Sequence, residues 1–280
     1  MNLLCQRAAD AIMQAEGLLV CAGAGMGVDS GLPDFRGDTG FWKEYPLYGE
    51  LKLSFSDLAN PAWFERDPTL AWGFYGHRLN LYRQTEPHDG FQTLLSWGNR
   101  LKRGLYVFTS NVDGHFQKAK FPAERIVEAH GSIHYMLCTK DCGIGIFPAD
   151  QFKVDIDSQT FRAREPLPSC PKCGALARPN ILMFDDGGWC NARSKEQGRR
   201  QQNWLREMPD GRLVVIECGA GVAVSTVRFF SEQMLLLGKA TTLIRINPRE
   251  GNVPDGQISL PVGAAEGLQG IADVLSKNGW

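Results

Sequence analysis

The spacing of apolar residues changes period several times along the chain. Leu4, Ala8, Ala11, Ile12 and Ala15 recur every three or four positions, which predicts one face of an opening helix. Leu18-Leu19-Val20-Cys21 follows as an unbroken apolar run, the pattern of a strand buried on both faces. From Phe41 to Tyr75 aromatics crowd together, and Pro46, Pro61 and Pro68 cut the stretch into pieces, so a small helical module is expected. Helical spacing from about Gly90 to Lys102 precedes a second strand, Leu105-Tyr106-Val107-Phe108, and Ile126-Val127-Glu128 predicts a third. Residues 134–180 are rich in prolines and cysteines and have little periodicity. Leu213-Val214-Val215-Ile216 predicts another strand, helical spacing then runs to about Leu237, and Thr242-Leu243-Ile244-Arg245-Ile246 predicts one more. A last amphipathic helix is expected over Ala264 to Leu275.

Helices alternating with strands that stop at Gly, Asn or Asp imply an α/β fold built on a doubly wound parallel sheet. Ligands of such sheets bind beyond the carboxyl ends of the strands, and the polar candidates fall there. The first is Gly23-Ala24-Gly25-Met26-Gly27, with Gly31 close behind. Glycines after a strand can make a plain tight turn, or let the backbone approach a pyrophosphate. Pro33-Asp34-Phe35-Arg36-Gly37 adds a carboxylate, a ring and a guanidinium, a set that suits a loop closing over a charged nucleotide. Thr109-Ser110-Asn111-Val112-Asp113-Gly114 ends the second strand. Asn111 and Asp113 there are either turn formers or groups that address an amide and a ribose. His130 ends the third strand beside Gly131, where an imidazole can be structural or can accept a proton near neutral pH.

The 280 residues carry a net charge of −1, so no broad field favours nucleic acid or an anionic membrane. No apolar run is long enough to span a bilayer. Asp10, Arg7 and Glu16 within the first helix are unlike a signal peptide, so the cytoplasm is the expected compartment. Eight cysteines then need a reason other than disulfides. Cys138 and Cys142, with Cys170 and Cys173, form two closely spaced pairs. Four thiolates on two knuckles can surround one Zn²⁺ and leave no position for water, which makes the metal structural. The other reading is a set of reactive dithiols or core cysteines. Cys5, Cys21, Cys190 and Cys218 read as small buried or half-buried residues.

GAGMGVDSGLPDFRG resembles the signature of the sirtuin family, and the resemblance continues through Asn111-Val112-Asp113, His130-Gly131, the cysteine pairs and Ile246-Asn247. It implies a Rossmann-type NAD-binding domain (1–40, 90–133 and 181–280), a helical module (41–89) and an inserted zinc ribbon (134–180). Gly23, Ala24, Gly25, Asp34, Phe35, Arg36, Ser110, Asn111, Val112, Asp113, Gly219, Gly221 and Asn247 would then line the NAD site. Asn111 would lie beside the reacting ribose, and His130 would be the general base. The implied reaction is NAD-dependent removal of an acyl group from a protein lysine, with the acyl passed to ADP-ribose and nicotinamide released. Transfer of ADP-ribose to protein or water is a second expectation, and a non-catalytic NAD sensor a third.

The sequence departs from the family at four places. Gly27 stands for Ser, Ser110 for Gln, Gly219-Ala220-Gly221 for Gly-Thr-Ser, and Asp185 for the Gly of a Phe-Gly-Glu strand that pairs with the acylated peptide. Phe184 heads that segment and is expected to touch substrate. Tyr75 and Arg78 match a Tyr-x-x-Arg arrangement seen in members that prefer acidic acyl groups; a core Tyr with a surface Arg is the alternative. His77, His88, His115 and His134 read as structural. Neither the acyl chain, the acylated protein nor the oligomeric state is legible.

Overall fold

The structure is a computed structural model that describes residues 1–33, 45–50, 52–208, 212–237 and 240–280. Asp34, Phe35 and Arg36 of the expected cofactor loop lie outside the described residues. Strand β1 (Gly17–Ala22) is the centre of a parallel sheet that also contains β2 (Leu105–Thr109), β3 (Ile126–Glu128), β7 (Leu213–Cys218), β8 (Thr241–Ile246) and β9 (Ile258–Leu260). Their order is β3-β2-β1-β7-β8-β9. The chain thus builds outward from β1 in one direction, returns, and builds outward in the other, so the crevice of a doubly wound sheet opens between β1 and β7.

Alternate residues of β1 feed two separate cores, as strand geometry demands. Leu18, Val20 and Ala22 pack with the Asn2–Met13, Asp89–Arg100 and Ala264–Lys277 helices. Leu19 and Cys21 pack on the other face against Trp204, Met208, Val227 and Met234. Burial on both faces is why the strands read as continuous apolar runs. The sheet also hides a charge: Glu217 on β7 and Arg245 on β8 are register partners, almost completely buried, with the guanidinium forked onto the carboxylate at 2.6 and 2.8 Å. Glu232 takes the same guanidinium at 2.7 Å.

A third core joins the helical module to the cysteine-rich stretch. Leu58, Phe64, Trp72, Phe74 and Tyr75 pack with Ile133, Met136, Phe147, Val154 and Ile181 in one cluster. The Pro68–Gln84 helix begins with Pro68 in its first turn and Asp67 accepting from the Leu70 amide at 3.1 Å. Trp72 donates from Nε1 to the Ala177 carbonyl at 2.9 Å and so ties the module to the Ala177–Ile181 strand. The cysteine-rich stretch carries a small antiparallel sheet of order β5-β4-β6, made of β4 (Gly131–Cys138), β5 (Phe147–Pro148) and β6 (Ala177–Ile181).

Two differences from the sequence reading have clear causes. The Ala192–Arg206 helix was not expected, because ARSKEQGRRQQNWLR has no apolar stripe. Its buried face combines Trp204 with two amides, Gln197 and Gln201; Gln197 accepts from the Glu128 amide at 3.0 Å and donates to the Glu128 carboxylate at 3.1 Å. The second concerns Phe184 to Gly188, expected as a strand. The segment is a turn, with Asp185 at φ 56°. Asp186 forms a bidentate pair with Arg178 at 2.7 and 2.8 Å, and both side chains are more than nine-tenths buried. It also receives the Gly188 amide at 3.2 Å, which bends the chain out of strand geometry.

Candidate active site

Strand register brings the polar candidates to one level. Ala22 pairs with Thr109 on one side and Cys218 on the other; Thr109 pairs with Glu128, and Cys218 with Ile246. The residues that follow, Gly23, Ser110, Ala129, Gly219 and Asn247, therefore form a row along the carboxyl edge of the sheet. A small pocket lies in the crevice, lined by Gly25, Val28, Asp29, Gly219, Ile246, Pro248, Arg249, Gly263 and Ala264. Asp29 borders it and accepts from the Ala265 amide at 2.8 Å, securing the start of the last helix.

The glycines act mainly by letting two loops touch. Gly23 donates to the Cys218 carbonyl at 3.0 Å, Gly25 to Gly219 at 3.0 Å, and Gly219 to Ile246 at 3.0 Å. These amides close the turns themselves. A side chain at Gly219 would put its Cβ 2.4 Å from the Gly25 backbone, and its φ of 63° already disfavours one. At Gly23 a Cβ would lie 2.7 Å from the Ala220 Cα. Ala24, between the two contacts, is exposed, and Gly221 is half-buried. Gly219→Ala is therefore expected to destabilise the chain by about 1–3 kcal/mol, which urea unfolding would measure.

Asn111 is half-buried and donates from Nδ2 to the Gly23 carbonyl at 3.0 Å, joining the loop after β2 to the glycine turn. Its amide is held by Thr109 Oγ1 at 3.0 Å, and that hydroxyl in turn donates to the Ala22 carbonyl. Ser110 donates from its backbone to the same Ala22 carbonyl at 3.2 Å. Val112 and Asp113 are buried; the Val112 carbonyl accepts from Ile133, and the Asp113 carboxylate from the His115 amide at 2.9 Å. Asn247 is completely buried, with Nδ2 on the Ala220 carbonyl at 2.8 Å and Oδ1 accepting from the Arg249 and Glu250 amides. It shapes the loops after β7 and β8.

His130 is half-buried at the end of β3 and start of β4, with Nε2 3.1 Å from Thr226 Oγ1. Burial lowers its pKa, so the ring is neutral in neutral solution and has a lone pair to offer. The other histidines are placed otherwise. His77 Nδ1 meets the Tyr45 hydroxyl, His88 Nε2 the Met26 carbonyl and His134 Nε2 the Asp113 carbonyl. His115 is buried among apolar neighbours, edge-on to Phe91.

Tyr75 and Arg78 are buried on the Pro68–Gln84 helix, which removes the surface reading of Arg78. Arg78 donates from Nε to the Tyr82 hydroxyl at 3.0 Å, and its guanidinium lies 5.1 to 5.8 Å from the ring centres of Phe74, Tyr82, Phe55 and Tyr75. Phe184 is exposed, edge-on to Phe55 at 6.4 Å, with its amide bonded to the Ala59 carbonyl.

The four paired cysteines meet away from that cleft. Their sulfurs all lie within 4.8 Å of one another, with Cys138–Cys173 at 3.6 Å and Cys142–Cys170 at 3.5 Å. Tetrahedral zinc with sulfur at about 2.3 Å needs sulfurs about 3.8 Å apart, so the set fits that metal. The knuckles turn through Asp141, Gly143 and Gly174, all at positive φ. Cys5, Cys21 and Cys218 are buried and Cys190 is half-buried, without disulfides.

The Sir2 family model matches residues 23–198, well over half of the chain. The chain belongs to the Sir2 family. The match spans the glycine turn, Asn111, His130 and all four paired cysteines, so the family and the observed geometry share the same residues. NAD-dependent protein deacylase sirtuin-5, mitochondrial, of Canis lupus familiaris is 31% identical over 188 residues, covering 62% of this Sir2 chain and 57% of that protein. The NAD-dependent protein deacylase of Thermococcus kodakarensis is 33% identical over 181 residues, covering 64% and 63%. The matches thus span about three-fifths of these relatives' length. A solved Sir2 homolog–NAD complex superposes with a TM-score of 0.67 at 25% identity, covering 97% of this chain and 94% of that one. Two contacts of this Sir2 site carried no sequence signal: Thr226 on His130, from 96 positions away, and Gln197 on Glu128. Both depend on which helix lands against β3, and local pattern does not specify that.

Proposed function

We propose that this Sir2-family chain is an NAD-dependent protein-lysine deacylase. The observation that supports it most is the row along the carboxyl edge of the sheet, where Gly23, Gly25 and Gly219 join two loops, Asn111 donates to the Gly23 carbonyl, and a neutral, half-buried His130 follows Ala129 at the end of β3. The crevice suits a dinucleotide in kind, since Gly25 and Gly219 line it with bare backbone and a side chain at Gly219 has no room. Bound NAD would supply an electrophilic ribose carbon for an acyl-lysine oxygen, with nicotinamide as the leaving group. Gly23, Ala24, Gly25, Gly219, Gly221 and Asn247 would shape the nucleotide's seat, together with Asp34, Phe35 and Arg36, which lie outside the described residues. Ser110, Asn111, Val112 and Asp113 would orient the ribose and the nicotinamide amide. His130 would take the proton of a ribose hydroxyl, and Cys138, Cys142, Cys170 and Cys173 would hold one structural zinc.

The same proposal divides the chain into the NAD-binding domain (1–40, 90–133 and 181–280), the helical module (41–89) and the zinc ribbon (134–180). The acylated lysine of a protein is the proposed partner, and Tyr75, Arg78 and Phe184 the proposed contacts for the acyl chain and its peptide. No described helix is long and apolar enough to cross a membrane. Eight unbridged thiols suit a reducing compartment, hence the cytoplasm.

The test is nicotinamide release from NAD in the presence of acetyl-, succinyl- and long-chain-acyl-lysine peptides. Release that depends on an acyl-peptide supports the proposal, and release without one removes it. Within the panel an acidic acyl group is expected to do better than acetyl, because Arg78 is a buried positive charge on the same helix face as Tyr75. Asp186 does not oppose this, since Arg178 already neutralises it. Arg78→Met should cut the succinyl-over-acetyl ratio of kcat/KM by about tenfold or more; an unchanged ratio would return Arg78 to a purely structural place.

A further inference from the structure

His130 is held between the two sheets. Its carbonyl accepts from the Leu182 amide at 2.9 Å, and the Ala129 amide before it donates to Thr109 at 2.8 Å. Its ring is held by one group: Nε2 lies 3.1 Å from Thr226 Oγ1, and Nδ1 has no hydrogen-bond partner among the described residues. Thr226 is the first residue of the Thr226–Gln233 helix, and that helix is firmly seated. Val227 is buried in the core, Phe230 stacks on Phe108 of β2 at 3.7 Å, and Ser231 donates to the buried Glu217. The hydroxyl is thus delivered to the imidazole by a rigid element.

We infer that Thr226 is a positioning residue for His130: its hydroxyl engages Nε2, fixes the ring's orientation and, by accepting from Nε2–H, leaves Nδ1 as the nitrogen that exchanges the proton. The inference rests on the deacylase reading for what the imidazole then does. A hydroxyl suits this task better than a carboxylate. It adds no negative charge that would draw the buried ring into its protonated form. It can also accept from Nε2–H both before and after Nδ1 takes a proton, so the contact survives the whole cycle. A ring fixed before substrate arrives needs no reorientation in the transition state.

The experiment compares the full chain with Thr226→Val and Thr226→Ser. Valine keeps the shape and removes only the hydroxyl; serine keeps the hydroxyl. Thr226→Val is expected to lower kcat for acyl-dependent nicotinamide release by up to about 10²-fold, with KM for NAD and the thermal transition nearly unchanged, and Thr226→Ser should restore most of kcat. Wild-type kcat in Thr226→Val, or equal impairment in both variants, would overturn the inference and leave a packing role. If the wild-type chain itself releases no nicotinamide, the deacylase reading fails, and ¹⁵N spectra of the histidine rings decide on Thr226 alone. A tautomer balance at His130 that shifts in Thr226→Val and returns in Thr226→Ser supports the inference; identical ring signals in all three proteins overturn it.

Discussion

His130→Ala is expected to lower acyl-dependent nicotinamide release by about 10²–10⁴-fold, the usual cost of losing a general base, while NAD affinity stays within a few-fold. The separation follows from geometry. The loops that would seat the nucleotide are held by backbone bonds among Gly23, Gly25, Cys218, Gly219 and Ile246, and the imidazole takes no part in them. Among the described residues its ring hydrogen-bonds to Thr226, and its burial supports a neutral base instead of a fixed cation. Steady-state release with a saturating acyl-peptide reads the rate, and calorimetric titration with NAD reads the affinity. A variant that turns over within a few-fold of wild type would make His130 structural and require another base.

Cys170→Ser is expected to abolish the metal site and unfold the cysteine-rich stretch with it. The intact chain should carry about one zinc, as four convergent thiolates imply, and the variant should carry little. Structural zinc binding is worth about 10–16 kcal/mol in small zinc domains, against a typical net stability of about 5–15 kcal/mol, so the loss is not absorbed locally. The damage has a route to the cleft. Strand β4 starts on the residue after His130 and ends on Cys138, and β6, its partner, begins three residues after Gly174. Through Trp72 and the shared apolar cluster, the helical module leans on the same strands. Metal analysis, and limited proteolysis within 134–180, would test this. A variant that stays metal-loaded and resistant to protease would show that the cysteines do not hold the stretch together.

How much of this was legible in the chain depends on how local the cause is. The strands β1, β2, β3, β7 and β8 could be read because burial on both faces leaves short, mainly apolar runs, and the run itself is the signal. The cysteine knuckles were legible because metal geometry restricts spacing, and the glycine turn because a Cβ at Gly219 has nowhere to go. The strand ends placed Asn111, Asp113 and His130 at one edge of a sheet before any coordinate was known. The Ala192–Arg206 helix could not be read, because Trp204 is accompanied on its buried face by Gln197 and Gln201, and a buried amide looks like a surface one in sequence. Nor could the turn at Asp185, which exists because Arg178, on a different strand, captures Asp186.

Tertiary structure alone decided the pairings between distant segments: Arg245 under Glu217, Arg178 with Asp186, Thr226 on His130, Arg78 inside rather than outside. Each joins polar groups whose burial is tolerable only because the partner is there. Sequence pattern records where apolar surface must go, residue by residue along one element. The choice of partner for a buried polar group is made when elements dock, by distances that no spacing along the chain encodes.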